Sequence, residues 1–91
     1  MHKKDFYKQV AEASNHSMDD VTAVLDTALV TIEKSLRSGE KVVLTGFGTF
    51  EKRQTAARQG VNPSTGEKIN ISARNRVAFS AGKGLKERIN S

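Results

Sequence analysis

Ala56-Ala57-Arg58-Gln59-Gly60-Val61-Asn62-Pro63-Ser64-Thr65-Gly66-Glu67-Lys68-Ile69-Asn70-Ile71-Ser72-Ala73 holds few large apolar groups, and its centre is dense in turn formers. Asn62-Pro63-Ser64-Thr65-Gly66 contains the only proline of the chain, flanked by residues that accept the backbone angles of tight turns. The flanks are extended and polar. The pattern predicts a β-ribbon projecting into solvent, with its turn at the tip. A ribbon with no core beneath it is expected to be mobile until something binds it.

Either side of this stretch the pattern belongs to a half-buried sheet. Val42 and Leu44 alternate with Val43 and Thr45, Gly46-Phe47-Gly48 makes a tight turn, and a second strand runs from Thr49 to about Thr55 with Phe50 facing inward. Beyond the ribbon, Arg74 to Ser80 returns to a strand with Val77 and Phe79 on one face. Gly82 opens a short last helix in which Leu85 and Ile89 form a buried i, i+4 pair.

The first part of the chain has helical spacing. Phe6, Val10 and Ala13 mark an amphipathic helix from Lys3 to about Ala13, and Asn15-His16 breaks it. Ser17-Met18-Asp19-Asp20 resembles a capping box, with two carboxylates at the positive end of the helix dipole. The second helix runs to about Ser38, and Gly39 is placed to cap it in the left-handed conformation. Val21, Val24, Leu25, Ala28, Leu29, Ile32 and Leu36 span an arc of roughly 140° on it, wider than a minimal core stripe. So apolar a face calls for a partner subunit.

The expected architecture is therefore α+β, one domain over residues 1–91. It comprises a helical base (1–38), strands at 41–56 and 73–80 forming a three-stranded antiparallel sheet, a projecting arm at 57–72 and a C-terminal helix at 82–90. The chain has no cysteine, so neither disulfides nor Cys-based metal or redox sites are available. No signal-peptide core and no run of about 18 apolar residues is present, which points away from secretion and the membrane. The sequons at Asn15 and Asn70 are then accidents of composition.

Charge is distributed unevenly. Residues 1–45 carry a net charge of −1 and residues 46–91 a net charge of +6, within a total of +5. Lys52, Arg53, Arg58, Lys68, Arg74 and Arg76 lie on the ribbon and its roots; the last helix adds Lys83, Lys86 and Arg88. A neutral scaffold joined to a basic projection suits a polyanion. The first turn at Gly82-Lys83-Gly84 offers backbone N–H groups to a phosphate. Aromatic side chains are scarce and sit at core spacing, which disfavours stacking on single-stranded bases and leaves duplex backbone as the target.

Catalytic and cofactor readings fail on spacing. His2 and His16 stand at the ends of the first helix with no His-Glu-x-x-His arrangement, and Asp19-Asp20 point about 100° apart on a helix. Gly46-x-Gly48 lacks the third glycine of a dinucleotide fingerprint, since Glu51 stands there. Gly82-Lys83 lacks both the first glycine (Val77) and the hydroxyl residue (Gly84) of a phosphate-binding loop. The chain is expected to be no enzyme and to need no metal, cofactor or small-molecule substrate.

Gly46-Phe47-Gly48-Thr49-Phe50-Glu51, Ala56-Ala57-Arg58-x-Gly60, Asn62-Pro63-x-Thr65-Gly66-Glu67 and Phe79-x-x-Gly82-Lys83-x-Leu85-Lys86 together resemble the bacterial HU family over the whole chain without gaps. The resemblance implies an intertwined homodimer with a helical base, a saddle of strands and two arms around duplex DNA. It makes Pro63 the wedge that enters a base step, as is known for architectural proteins of this very family. Asn62 shapes the tip, Arg53 and Arg58 follow the minor groove and phosphates, and Lys3, Lys83 and Lys86 touch the backbone along the body. Lys52, Lys68, Arg74 and Arg76 join them as expected DNA contacts. The implied dimer core is Phe47, Phe50 and Phe79 with Leu29, Ile32, Leu36 and Leu44.

The implied activity is architectural bending and compaction of DNA in the cytoplasmic nucleoid, with weak sequence preference, because the minor groove distinguishes little beyond A·T from G·C. Gln54, Gln59 and Asn70 are the candidates for any base-edge contact. Bent, nicked or four-way DNA should be preferred, since a deformed site costs less to bend. The chain departs from the family at Thr55 and Val61, where basic arm residues are usual, and at Ser72 and Val77, where prolines are common; Arg74 and Arg76 are placed to compensate in charge. Three alternatives stay open: a sequence-preferring heterodimeric relative like integration host factor, an RNA binder through the same phosphate chemistry, and a module that adds its ribbon to a protein partner as a strand.

Overall fold

The structure, a computed structural model, describes the backbone of residues 1–91 and every side chain except those of Arg58 and Ile71. It contains α1 (Lys3–Ser14), α2 (Met18–Arg37), β1 (Val42–Leu44), β2 (Gly48–Thr55), β3 (Arg58–Val61), β4 (Lys68–Ile71), β5 (Arg74–Ala81) and α3 (Lys83–Ile89). The chain forms two compact units, Met1–Lys34 and Ser35–Ser91. The α+β class and the order of elements agree with the sequence reading.

In the first unit both helices begin on side-chain caps. The His2 backbone N–H donates to Asp5 Oδ2 at 3.1 Å, and the Asp20 N–H donates to Ser17 Oγ at 3.1 Å. Each bond satisfies a backbone group that the helix end leaves orphaned. Helix α1 stops at Asn15, which takes φ 57°, the left-handed value that asparagine tolerates. The core joins Tyr7, Ala11 and Val21, with Val10 and Leu25 packed against them.

That core corrects the expected face of α1. Phe6 is half exposed and Ala13 is exposed, while Tyr7 is only 3% exposed. A buried tyrosine needs a partner for its hydroxyl. Asp26 supplies one, accepting the Tyr7 O–H at 2.7 Å. This bond lets the face rotate by one residue relative to a reading that counts only fully apolar side chains.

Helix α2 ends in the second unit. Gly39 takes φ 90°, its N–H donates to the Leu36 carbonyl at 3.0 Å, and the Glu40 N–H donates to the Ser35 carbonyl at 2.9 Å. This is a Schellman cap, and it turns the chain into the sheet. Strands β1, β2 and β5 form one antiparallel sheet in the order β1-β2-β5, and β3 pairs with β4 as a separate two-stranded ribbon. Val42 pairs with Phe50, and Phe50 with Phe79, so the aromatic pair sits mid-sheet with ring centroids 4.8 Å apart.

Gly48 is where side-chain packing requires a glycine. A β-carbon there would lie 2.5 Å from the Phe79 ring and 2.7 Å from the Ser80 carbonyl oxygen. Gly82 is packed close for a similar reason. Its N–H donates to the Phe47 carbonyl at 2.8 Å, which uses a group expected from the sequence to be free for phosphate.

The expected dimer core divides within one chain. Leu36 is already buried, and Phe50 and Ile32 are half-buried. Leu29, Leu44, Phe47 and Phe79 are exposed, as is Val24 on α2 at 67%. Among the described residues no helix is long and apolar enough to cross a membrane.

Candidate nucleic-acid interface

The ribbon is built from the register outward. Arg58 pairs with Ile71, Gln59 with Asn70, Gly60 with Ile69 and Val61 with Lys68. The ladder continues into the tip, where the Asn62 N–H donates to the Glu67 carbonyl and the Gly66 N–H returns to the Asn62 carbonyl, both at 2.8 Å. The Asn62 side chain accepts the Ser64 N–H at 2.9 Å, and Thr65 Oγ1 accepts the Glu67 N–H at 3.3 Å. Gly66 takes φ 73°, which closes the turn.

Pro63 stands exposed between Asn62 and Ser64 in this bonded loop. It brings no N–H needing a partner, and its ring fixes φ. The tip is thus an apolar, preorganised point on an otherwise polar ribbon. Val61 and Ile69 add exposed apolar surface behind it. Lys68, opposite Val61, is exposed at the same end. The side chain of Arg58 lies outside the described residues.

Strand alternation sorts the basic residues at the ribbon's root. On β2, Phe50 and Lys52 share one face; Glu51, Arg53 and Thr55 share the other. Across the sheet, Arg53 pairs with Arg76 and Thr55 with Arg74, which places three guanidinium groups on one face. Lys52 does not join them. It pairs with Val77 on the aromatic face, and its Nζ donates to the Arg37 carbonyl at 3.4 Å, at the C-terminal end of α2 where a cation is favourable.

Carboxylates restrain two of the expected contacts. Glu51 Oε1 accepts from Arg53 Nε at 2.8 Å and lies 2.7 Å from Nη2, while Lys41 lies 3.8 Å from Oε2. The Arg53 hydrogen bond, opposed by partial burial, holds the Glu51 carboxyl below its usual range. Lys3 Nζ lies 3.1 Å from Asp26 Oδ1 and 5.4 Å from the centre of the Tyr7 ring. The Tyr7 hydrogen bond and then Lys3 depress Asp26, while the bond to Asp26 raises Lys3.

On α3, Lys83 and Lys86 are exposed, with Lys83 Nζ 3.9 Å from Glu87. Arg88, counted from the sequence with the basic surface, has a structural task instead. Its Nη2 donates to the Gly46 carbonyl at 2.6 Å and ties the helix to the β1–β2 turn. No spacing in the sequence brings residues 46 and 88 together. Among the described residues no group of three or more His, Cys, Asp or Glu side chains is arranged to hold a metal ion.

Comparison with known proteins agrees with this geometry. The family model described as bacterial DNA-binding protein matches residues 1–90. The DNA-binding protein HU of Streptococcus thermophilus is 49% identical over 87 residues, covering 96% of each chain. The DNA-binding protein HU of Thermus thermophilus is 48% identical over 87 residues, covering 96% of this chain and 90% of its own. Among solved structures, the Anabaena HU–DNA cocrystal structure superposes with a TM-score of 0.85 at 45% identity, covering 98% of this chain and 97% of that one.

Proposed function

The chain belongs to the HU family of bacterial DNA-binding proteins, and we propose that it binds duplex DNA as a homodimer, bending it between two ribbons with little regard for sequence. The family is one of structural DNA-binding proteins, not enzymes. In this reading the protein works on the cytoplasmic nucleoid, and Pro63 of each subunit enters a base step from the minor groove. Proteins of this very family are known benders of that kind, for which unstacking costs on the order of a few kcal/mol per step. Phosphate contacts from Arg53, Arg58, Lys68, Arg74, Arg76 and, along the body, Lys3, Lys83 and Lys86 offset it.

One observation carries the reading: an exposed proline in a tip held by hydrogen bonds from Asn62, Ser64, Gly66 and Glu67, on a ribbon rooted in arginines. The exposed Leu29, Leu44, Phe47 and Phe79 support the dimer, because covering them stabilises association by about 25 cal/mol per Å² of apolar surface. Bent, nicked and four-way DNA should bind better than intact duplex, since part of the deformation is already present.

The test is a binding series on two duplexes of unrelated sequence, on nicked and four-way DNA, and on an RNA duplex, each across salt. The reading expects similar affinity for the two duplexes, tighter binding to the distorted forms, and a fall of orders of magnitude between about 50 and 200 mM salt. Salt-insensitive binding, or preference for one of the sequences, would count against it. Equal affinity for the RNA duplex would widen the target to both nucleic acids.

A further inference from the structure

Arg53 and Arg76 stand directly opposite each other across an antiparallel strand pair. Residues so placed have β-carbons about 4.5–5.5 Å apart, and like charges there destabilise the sheet. Arg74, opposite Thr55, lies diagonally beside Arg53 on the same face. No acidic residue occurs on β5, and β2 has only Glu51. That single carboxylate is already shared between Arg53 and Lys41, so the face keeps an uncompensated excess of positive charge. Arg76 is exposed.

We propose that Arg53 and Arg76 form a clamp for one phosphodiester group at the root of the ribbon, with Glu51 holding Arg53 in place until the phosphate arrives. The proposal rests on the reading of the chain as a duplex DNA binder and adds a specific backbone subsite to it. A guanidinium presents planar pairs of N–H donors that match a phosphate's oxygens, and two of them across one strand pair can grip a phosphate from both sides. The Glu51 contacts use Arg53 Nε and Nη2 on one oxygen, which leaves the guanidinium's other terminal nitrogen available. Entry of the anion turns a repulsive pair into a bridged one. The clamp therefore lowers stability when empty and raises affinity when filled.

These opposite signs make the experiment decisive. The full chain and its Arg76→Gln and Lys8→Gln variants are compared, Lys8→Gln removing one positive charge from an exposed position on α1. Binding to one intact duplex is measured across salt, and thermal unfolding is measured without DNA. For Arg76→Gln the clamp predicts a slope of log affinity against log salt smaller by about one and a severalfold loss of affinity beyond that of Lys8→Gln. It also predicts a Tm above that of the parent at low salt, converging with it at high salt as screening removes the repulsion.

If the parent chain binds the duplex with steep salt dependence but Arg76→Gln behaves as Lys8→Gln does, the clamp is wrong and the general reading stands. If the parent itself shows no salt-dependent duplex binding, the general reading has failed. Weaker binding of poly-glutamate but not of DNA by Arg76→Gln would make the pair a carboxylate site and overturn the proposal.

Discussion

Tyr7 and Asp26, 19 residues apart, are joined by a hydrogen bond of 2.7 Å to Oδ1, the same oxygen that lies 3.1 Å from the ammonium of Lys3. One carboxylate thus serves the core of the helical pair and an expected phosphate contact together. Burial, followed by the bond to Asp26, raises the Tyr7 hydroxyl above its ordinary value.

This cluster, together with Glu51 in the sheet, sets a pH window for stability. Asp26 and Glu51 are depressed in the folded chain, so the stability they contribute is fully present above the ordinary carboxylate range and is lost as pH falls below about 4. Lys3 and Tyr7 are raised, so their contribution is present below about 10 and is lost as pH rises past it. Tm should be nearly flat between those limits and fall at both ends. Replacing Asp26→Asn should lower the plateau and flatten the acid limb; an acid limb of unchanged steepness would exclude Asp26 as its source.

Gly48 and Gly39 should respond to alanine for different reasons. At Gly48 the obstacle is the Phe79 ring and a backbone carbonyl that cannot swing away, and the expected loss is about 1–3 kcal/mol or more. At Gly39 nothing lies within 4 Å, and the loss of about 1–2 kcal/mol comes from the positive φ alone. Urea unfolding of Gly48→Ala combined with Phe79→Leu separates the two. The smaller side chain should recover part of the Gly48→Ala loss, and no recovery would rule out the ring as the obstacle.

Arg88→Ala should cost about 1 kcal/mol, the worth of a charged hydrogen bond discounted for exposure. The change should appear as faster amide exchange in α3 and the turn at Gly46, with the ribbon unaffected. Unchanged exchange in α3 would mean that the 2.6 Å contact contributes nothing in solution.

Much of this was legible in the sequence, and the misses have physical causes. The shift in period after Gly39 located the sheet, and Asn62-Pro63-Ser64-Thr65-Gly66 located the tip, because those residue types act through local backbone preferences. The buried face of α1 was misplaced because a tyrosine is apolar in its ring and polar at its end, and only Asp26, far along the chain, decides which counts. The separation of Lys52 from Arg53 was present as parity: Lys52 lies two residues from Phe50, so both point the same way. Arg88 could not be assigned, because its partner is a backbone carbonyl reached only through the folded sheet.

If paired ribbons bend duplex DNA with Pro63 as the wedge, the end-to-end distance of a doubly dye-labelled duplex reports it. Two chains per duplex should bring the ends together, and Pro63→Ala should leave Tm unchanged while most of the shortening and the preference for nicked DNA disappear. Binding that leaves the end-to-end distance of the duplex unchanged, or a Pro63→Ala protein that bends as well as its parent, would contradict the account.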